Sequence, residues 1–425
     1  MVENKKSFFR LSWLNFFEYL LSISILLASS SIYWVTSNKP FKEIIMLMVY
    51  GCLFLVVVIC LYNLRKNIDI KKLVSLLIAN VTISVIIVSY NKLIDNITLS
   101  EIMRMVIFPI GLIIYFYYYL SQNKIPNILF VLRKVISALA VVSLIFYFLY
   151  ITGILHQNSS LFIKWGTPRW VNGIFYLHFF PQGEANFLGL NVIRNTGIFS
   201  EAPMFSFVLS IGIIIYYYIE KPKKFVTFQS IILVFTVITT TSTTGLILLI
   251  SIIMLKLFIS MPGYYKLFVL VLIPFAIVIV FTILESKFTS MQGSTSIRMN
   301  DFYAGYQAFL QKPLLGNGMV NGMVNGGDVI KRYMDFSRLT LGGNDGFSSG
   351  LFYGLARIGL VGMIFYIFIP FFATIMKNKN IAAISILLFI LFIVTTIFYS
   401  YLFSFFLTFF FTILGFSKKE LSQFD

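Results

Sequence analysis

The sequence predicts an all-α, polytopic membrane protein of about twelve transmembrane helices with two large external loops. Three observations predict it. The 425 residues are 59% hydrophobic and only 12% charged, with 47 Phe and 24 Tyr, more apolar surface than a soluble core of this length needs. Runs of roughly 18 to 22 apolar residues, long enough to cross about 30 Å of hydrocarbon, recur along the whole chain. The Lys and Arg clusters between those runs all fall on one side of a twelve-span arrangement.

The first five spans read at about 14–36, 44–62, 73–90, 102–120 and 135–155, so residues 1–155 form a membrane scaffold whose short connections imply antiparallel neighbours. Residues 156–201 make external loop A, where Trp165, Trp170 and the stretch Ile174 to Phe180 suit a membrane interface better than a floppy linker. Spans six to nine follow within 202–284, at about 202–219, 225–241, 245–260 and 266–284. Between spans seven and eight lies the hydroxyl-rich turn Thr239-Thr-Thr-Ser-Thr-Thr-Gly245.

Residues 285–348 make external loop B, with a short helix expected over Ile297 to Leu310 that carries Phe302, Tyr306 and Phe309 on one stripe and ends before Pro313. The tract Gly316 to Gly327 follows, turn-rich and not a Walker motif, because no Gly-Lys-Ser/Thr ends it. The last three spans, about 349–373, 381–398 and 401–416, and a short tail fill 349–425.

Charge gives the topology. Lys5, Lys6 and Arg10 precede span one; Arg65, Lys66, Lys71 and Lys72 follow span two; Lys124, Arg133 and Lys134 follow span four. Lys221, Lys223 and Lys224 follow span six, Lys377 and Lys379 span ten, and Lys418 and Lys419 span twelve. The positive-inside rule then places both termini in the cytoplasm and both long loops outside. The net charge of +17 is accounted for by this membrane topology and calls for no nucleic-acid partner. The first span can serve as an uncleaved signal anchor. Cys52 and Cys60 share a face of span two, away from any oxidising loop and from metal-ligand neighbours.

The candidate chemistry sits in the loops and at the helix starts that face them. Arg194 and Glu201 flank the start of span six, where Ser200 can cap the helix, Pro203 suits its first turn, and free backbone N–H groups beside a fixed cation would hold a phosphate. The bland alternative is an interfacial Arg paired with Glu201 or with lipid headgroups. Arg298 opens the loop B helix, and Lys331, Arg332 and Arg338 add basic charge against the topology bias, although single surface cations are commonly just solvated.

Arg357 lies about 13 Å into span ten, too deep for a terminal snorkel, facing either a cavity or a bundle-internal partner such as Glu18. His156 and His178 have no clustered carboxylate or Cys, so zinc is not expected, and His178 is a possible general base. Asn344-Asp345-Gly-Phe-Ser-Ser-Gly350 precedes span ten, where Asp345 either accepts a proton or belongs to a plain cap.

Taken together these residues resemble the O-antigen ligase and Wzy-type polymerase superfamily. Arg194-Asn-Thr-Gly-Ile-Phe-Ser-Glu-Ala-Pro-Met-Phe205 is similar to the family's Arg-x-x-Gly-x-Phe-x-Glu-Pro segment, with Ala202 inserted before the Pro. Arg298 through Pro313-Leu-Leu-Gly-Asn-Gly318 resembles its Arg, helix, Pro-x-x-Gly-x-Gly stretch. Leu355-Ala-Arg-Ile-Gly-Leu-Val-Gly362 resembles its Leu-Ala-Glu-x-Gly-x-x-Gly start of span ten, with Arg357 where Glu is usual. The detailed likeness covers roughly residues 190–375.

Two departures stand out: Asn344-Asp345 and Ser348-Ser349 replace a His-Asn pair usual in ligases, and Ser242-Thr-Thr-Gly245 lacks the Arg of the family's Ser-Arg-Thr-Gly turn.

The resemblance implies a GT-C-like, metal- and cofactor-independent membrane glycosyltransferase. It would polymerise undecaprenyl-diphosphate-linked oligosaccharide repeat units into a capsular, exopolysaccharide or O-antigen-type chain at the outer face of a bacterial cytoplasmic membrane. A flippase and a chain-length regulator are the implied partners. The expected diphosphate ligands are Arg194, Arg298, Arg338 and Arg357; the expected catalytic residues are Asp345, Glu201 and His178, with Asp301 in reserve. A ligase acting on another acceptor is the nearer alternative. A lipid-linked oligosaccharide flippase is the more distant one, because the two halves show no repeat.

Overall fold

Long unbroken apolar runs can satisfy their backbone groups in lipid only as helices, and helices are what most of this chain forms. The computed structural model describes residues 2–63, 69–94, 97–165, 168–187, 190–260, 263, 292–319, 328–335 and 346–424. Among the described residues seven helices are long and apolar enough to cross a membrane. These are α3 (Lys39–Asn63), α4 (Ile70–Ile94), α5 (Leu99–Leu120), α6 (Asn127–Ile151), α7 (Ala202–Glu220), α9 (Thr243–Ser260) and α11 (Gly350–Ile375).

Four shorter apolar segments accompany them: Trp13–Leu27 of α1 (Val2–Leu27), α8 (Phe228–Thr239), α12 (Lys379–Val394) and α13 (Tyr401–Leu414). The chain is thus a mostly helical membrane protein. The expected ninth span, about 266–284, lies outside the described residues.

The chain divides into two compact units, one of residues 1–29, 43–131 and 300–425, the other of residues 30–42 and 132–299. The first is held by aromatic packing: Phe116 of α5 meets Phe405 and Phe409 of α13 at 5.2 and 5.1 Å, and Phe371 of α11 meets Phe403 and Phe410 at 6.0 and 5.3 Å. Such offset and edge contacts are the geometry the ring quadrupole favours. Glu18 is buried in α1 and accepts hydrogen bonds from Tyr115 (2.6 Å), Tyr119 (2.9 Å) and the Asn127 amide. It is therefore satisfied by neutral donors and is not the partner expected for Arg357.

That partner is Asp328, whose two carboxylate oxygens lie 2.8 and 2.9 Å from Arg357 Nη2, while the guanidinium also stands 4.9 Å from the centre of the Tyr353 ring. Residues 313–318 enter a break in α11. Gly359 has φ +63 and ψ −174, which interrupts the helix and frees backbone groups on both sides. Residues 313–318 take them up: Asn317 N–H donates to Ala356 O (2.9 Å), Gly318 N–H to Arg357 O (3.1 Å), Leu360 N–H to Pro313 O (2.8 Å) and Val361 N–H to Leu314 O (3.0 Å). Gly316, at φ +81, lies so close to Gly359 that neither position has room for a Cβ. Non-helical backbone inside a membrane-spanning segment is tolerated only with such partners.

The loop B helix is longer than expected, α10 (Gln292–Gln311). Its aromatic stripe is not its buried face: Asp301, Ala304, Gly305 and Ala308 are buried, while Phe302 and Tyr306 flank Phe352 at 5.4 and 6.5 Å.

In the second unit loop A departs from the all-α expectation. Residues 159–193 form β1 (Ser159–Ile163), β2 (Arg169–Ile174) and β3 (His178–Phe179) in one antiparallel sheet, and β4 (Glu184–Phe187) with β5 (Leu190–Ile193) in another. Alternation explains it: Ile163, Val171 and Phe179 turn inward onto Ile32 and Val35 of the short helix α2 (Ile32–Val35), and Ser160, Trp170 and Asn172 turn out. Helix-scale hydropathy is blind to this period-two pattern.

Candidate anion-binding site

Arg194, Arg298 and Glu201, far apart in the sequence, share one electrostatic neighbourhood in the second unit, because each arginine acts on the other and on the carboxylate. Three elements bring them there. β5 delivers Arg194, α7 starts immediately after Glu201, and the first turns of α10 carry Arg298. The hydroxyl turn between α8 and α9 is the common floor: Arg194 Nε–H donates to Thr240 O (3.3 Å), and Arg298 Nη2 lies 3.5 Å from Thr244 Oγ1. Asn195 ties the same turn down, its backbone N–H and side-chain amide reaching Thr239 O and Oγ1 at 3.1 and 3.0 Å.

Two further residues belong to the cluster and were missed in the sequence. Arg169, at the start of β2, acts on the Glu201 carboxylate, and its own guanidinium is braced on the carbonyls of Trp165 (3.0 Å) and Pro181 (3.3 Å). The Trp165 indole N–H donates to Glu201. The available signal was one more arginine on a loop where basic charge opposes the topology bias, placed between two tryptophans.

The electrostatics are those of three arginines around the Glu201 carboxylate among the described residues. Burial pulls the Arg194 guanidinium below its usual value, Glu201 pulls it back up, and Arg298 lowers it again. Burial holds the Glu201 carboxyl above the usual carboxylate range, opposed by Arg194, the Trp165 hydrogen bond, Arg169 and Arg298. Arginine stays charged at all relevant pH, so the cluster keeps a cationic excess whether or not Glu201 is ionised. Fixed guanidinium forks with that excess fit phosphate oxygens.

The helix start contributes less than expected. Glu201, not Ser200, occupies the capping position, and its side chain makes no capping bond. Ala202 N–H is taken by Gln182 Oε1 (2.9 Å), and Pro203 has no N–H. Side chains, rather than free helix N–H groups, therefore make up the candidate site.

His178 sits elsewhere in the same unit. It is fully buried in β3, with Nε2 3.1 Å from Asn195 Oδ1 and its ring 4.7 Å from Phe180. Asn195 Oδ1 also accepts from Ser143 Oγ (2.6 Å), so this oxygen acts as acceptor and His178 carries its proton on Nε2. Burial pushes the imidazole down to about 4. It fastens loop A and meets no solvent.

In the first unit Arg357, expected among the diphosphate ligands or in a bundle-internal ion pair, is buried and paired with Asp328. Asp301 is buried as well, its Oδ2 accepting from Ser348 N–H (2.9 Å) and Oγ–H (2.6 Å). Arg338 and Asp345 lie outside the described residues. Compared with protein-family models, curated proteins and solved structures, the chain matches none.

Proposed function

We propose that this chain is a polysaccharide polymerase of the inner or sole bacterial cell membrane. It joins undecaprenyl-diphosphate-linked oligosaccharide repeat units at the outer face through a twelve-span, GT-C-like scaffold with both termini in the cytoplasm. The observation that carries this reading is the convergence of Arg194, Arg298 and Arg169 on Glu201, a cluster suited to a leaving group with several phosphate charges. The clasp between Pro313-Leu-Leu-Gly-Asn-Gly318 and the break in α11 adds support, because two segments that the sequence links only by resemblance interlock through four backbone hydrogen bonds.

In the reaction, the terminal hydroxyl of an acceptor repeat unit attacks the anomeric carbon of the donor glycan. The new glycosidic C–O bond forms as the bond to the diphosphate breaks, and the lipid diphosphate leaves with the electron pair. Arg194 and Arg298 neutralise the charge that develops on it, Arg169 reinforces them, and Glu201 orients Arg194. Asp345 takes the hydroxyl proton. No nucleotide is consumed, because the lipid diphosphate is already activated.

Complementation of a null strain tests the reading. Arg194→Ala and Arg194→Lys are expected to leave lipid-linked single repeats and no polymer, Lys failing because a point charge does not replace the fork. Polymer of normal length from both variants would overturn it. Transfer of single repeats to an acceptor without a lipid diphosphate would favour a ligase instead.

A further inference from the structure

The β1–β2 ribbon has two unlike faces, and on the outer one Ser160, Trp170 and Asn172 are exposed, while Ile174 at the far end of the same face is buried. Cross-strand register puts Ser160 opposite Asn172 and Phe162 opposite Trp170, all four on that face. Leu161 and Val171, also paired, are on the other face, above Ile32 and Val35. Trp170 is 68% exposed and meets Phe162 edge-to-face at 5.6 Å. A wide aromatic surface thus lies one residue pair away from a hydroxyl and an amide.

The face is rigid. Thr36 Oγ1–H and Ser37 N–H both donate to Phe162 O (2.8 and 3.1 Å), Lys164 N–H donates to Val35 O (2.9 Å), and the inner side chains are buried. Its tip is part of the anion site. The turn that closes the ribbon holds Trp165, which donates to Glu201, and β2 begins with Arg169, the neighbour of Trp170. Arg169 and Trp170 leave the strand on opposite faces, so a ligand anchored at the cluster reaches the aromatic face by passing around the ribbon tip.

We propose that this face is a glycan-binding platform, with Trp170 stacking on a sugar ring and Asn172 and Ser160 bonding its hydroxyls; the proposal rests on the reading that the substrate is a lipid-diphosphate-linked glycan. A sugar offers both things the face asks for, an apolar C–H surface for the ring and hydroxyls for the polar pair. Lipid suits it less well, since hydrocarbon would leave the amide and hydroxyl unpaired. The ribbon has a separate segment that does suit lipid: the turn Phe175-Tyr176-Leu177 beyond β2 is wholly apolar or aromatic, each side chain about half exposed.

The test uses the full-length protein in nanodiscs and, as probe, the oligosaccharide released by mild acid from the host's own lipid-linked repeat units, free of lipid and phosphate. Trp170→Ala is expected to weaken binding roughly tenfold or more, and Trp170→Phe to retain most of it, because a ring remains. Asn172→Ala is expected to weaken it by a smaller factor. Brominated lipids should quench no fluorescence that Trp170→Phe removes.

Equal binding by Trp170→Ala and the parent, failure of the parent to bind the probe, or lipid quenching assigned to Trp170 would each overturn the platform. Polymer synthesis by the parent and its loss in Arg194→Lys are measured separately, so the platform can fail while the polymerase reading stands, and the reverse.

Discussion

Replacing Gly359 by alanine attacks the break in α11 at its centre. The residue has φ +63 and ψ −174, a conformation essentially reserved for glycine, so an L side chain there costs about 1–3 kcal/mol in backbone strain. The new Cβ would lie 2.5 Å from both Gly316 N and Leu314 O, closer than real Cβ atoms come, and both obstacles are backbone. Relief requires moving residues 314–316 away, which loosens at least two of the four clasp hydrogen bonds at about 1 kcal/mol each. The sum is about 4 kcal/mol.

Gly51→Ala in α3 is the control, since nothing lies within 4 Å of its Cβ and alanine gains about 0.5–1 kcal/mol in a helix interior. Unfolding of both purified variants in detergent, by heat and by added SDS, is expected to rank Gly51→Ala at or above the parent and Gly359→Ala far below it. Equal stability of Gly359→Ala and the parent would refute the clasp.

Three further outcomes follow from the same geometry. Asp328→Asn strands a buried Arg357 without its counter-charge and should cost about 3 kcal/mol or more, whereas the double change Asp328→Leu with Arg357→Leu should recover most of that loss; detergent unfolding in which Asp328→Asn matches the parent would contradict it. The His178 imidazole is held at about 4 against an ordinary 6.5, so the folded state binds fewer protons between these values. Its contribution is complete above about pH 6.5 and is lost as pH falls to about 4, amounting to about 3 kcal/mol, and His178→Gln should flatten this part of the stability profile; coincident acid limbs would count against it. Glu201→Gln removes the counter-charge among three arginines and should tighten inorganic pyrophosphate binding about fivefold at low salt, less at high salt, while polymer formation falls; calorimetry showing weaker binding would contradict the cluster.

Much of this architecture was legible in the sequence wherever one period governed a long stretch. Apolar runs gave the helices, and the tract that opens at Gly316 read as turn-rich from its glycines alone. What escaped was short-period or non-local. Loop A hides five short strands behind aromatic content that reads as interfacial, because runs such as Arg169 to Ile174 are too brief to separate from a helix turn by periodicity.

For Arg357 the sequence suggested Glu18 on another span, whereas its counter-charge is Asp328 from loop B, a non-local pairing that no period marks. Arg194 and Arg298 could be named singly, but Arg169 became visible only when the ribbon tip folded back toward Glu201. Ser200 looked like the better cap by residue type, yet extended backbone at Glu201 puts the helix start one residue later.

The proposed reaction makes glycosidic bonds by displacing a lipid diphosphate held by arginines. The most direct measurement is reconstitution of the purified chain in liposomes with lipid-diphosphate-linked repeat units as the sole substrate, followed by separation of products by size. Expected are a ladder of lipid-linked oligomers and one released lipid diphosphate per bond formed, with no nucleotide added, and neither product from Arg194→Lys. Unchanged single repeats with the parent protein, or equal ladders from parent and Arg194→Lys, would contradict it.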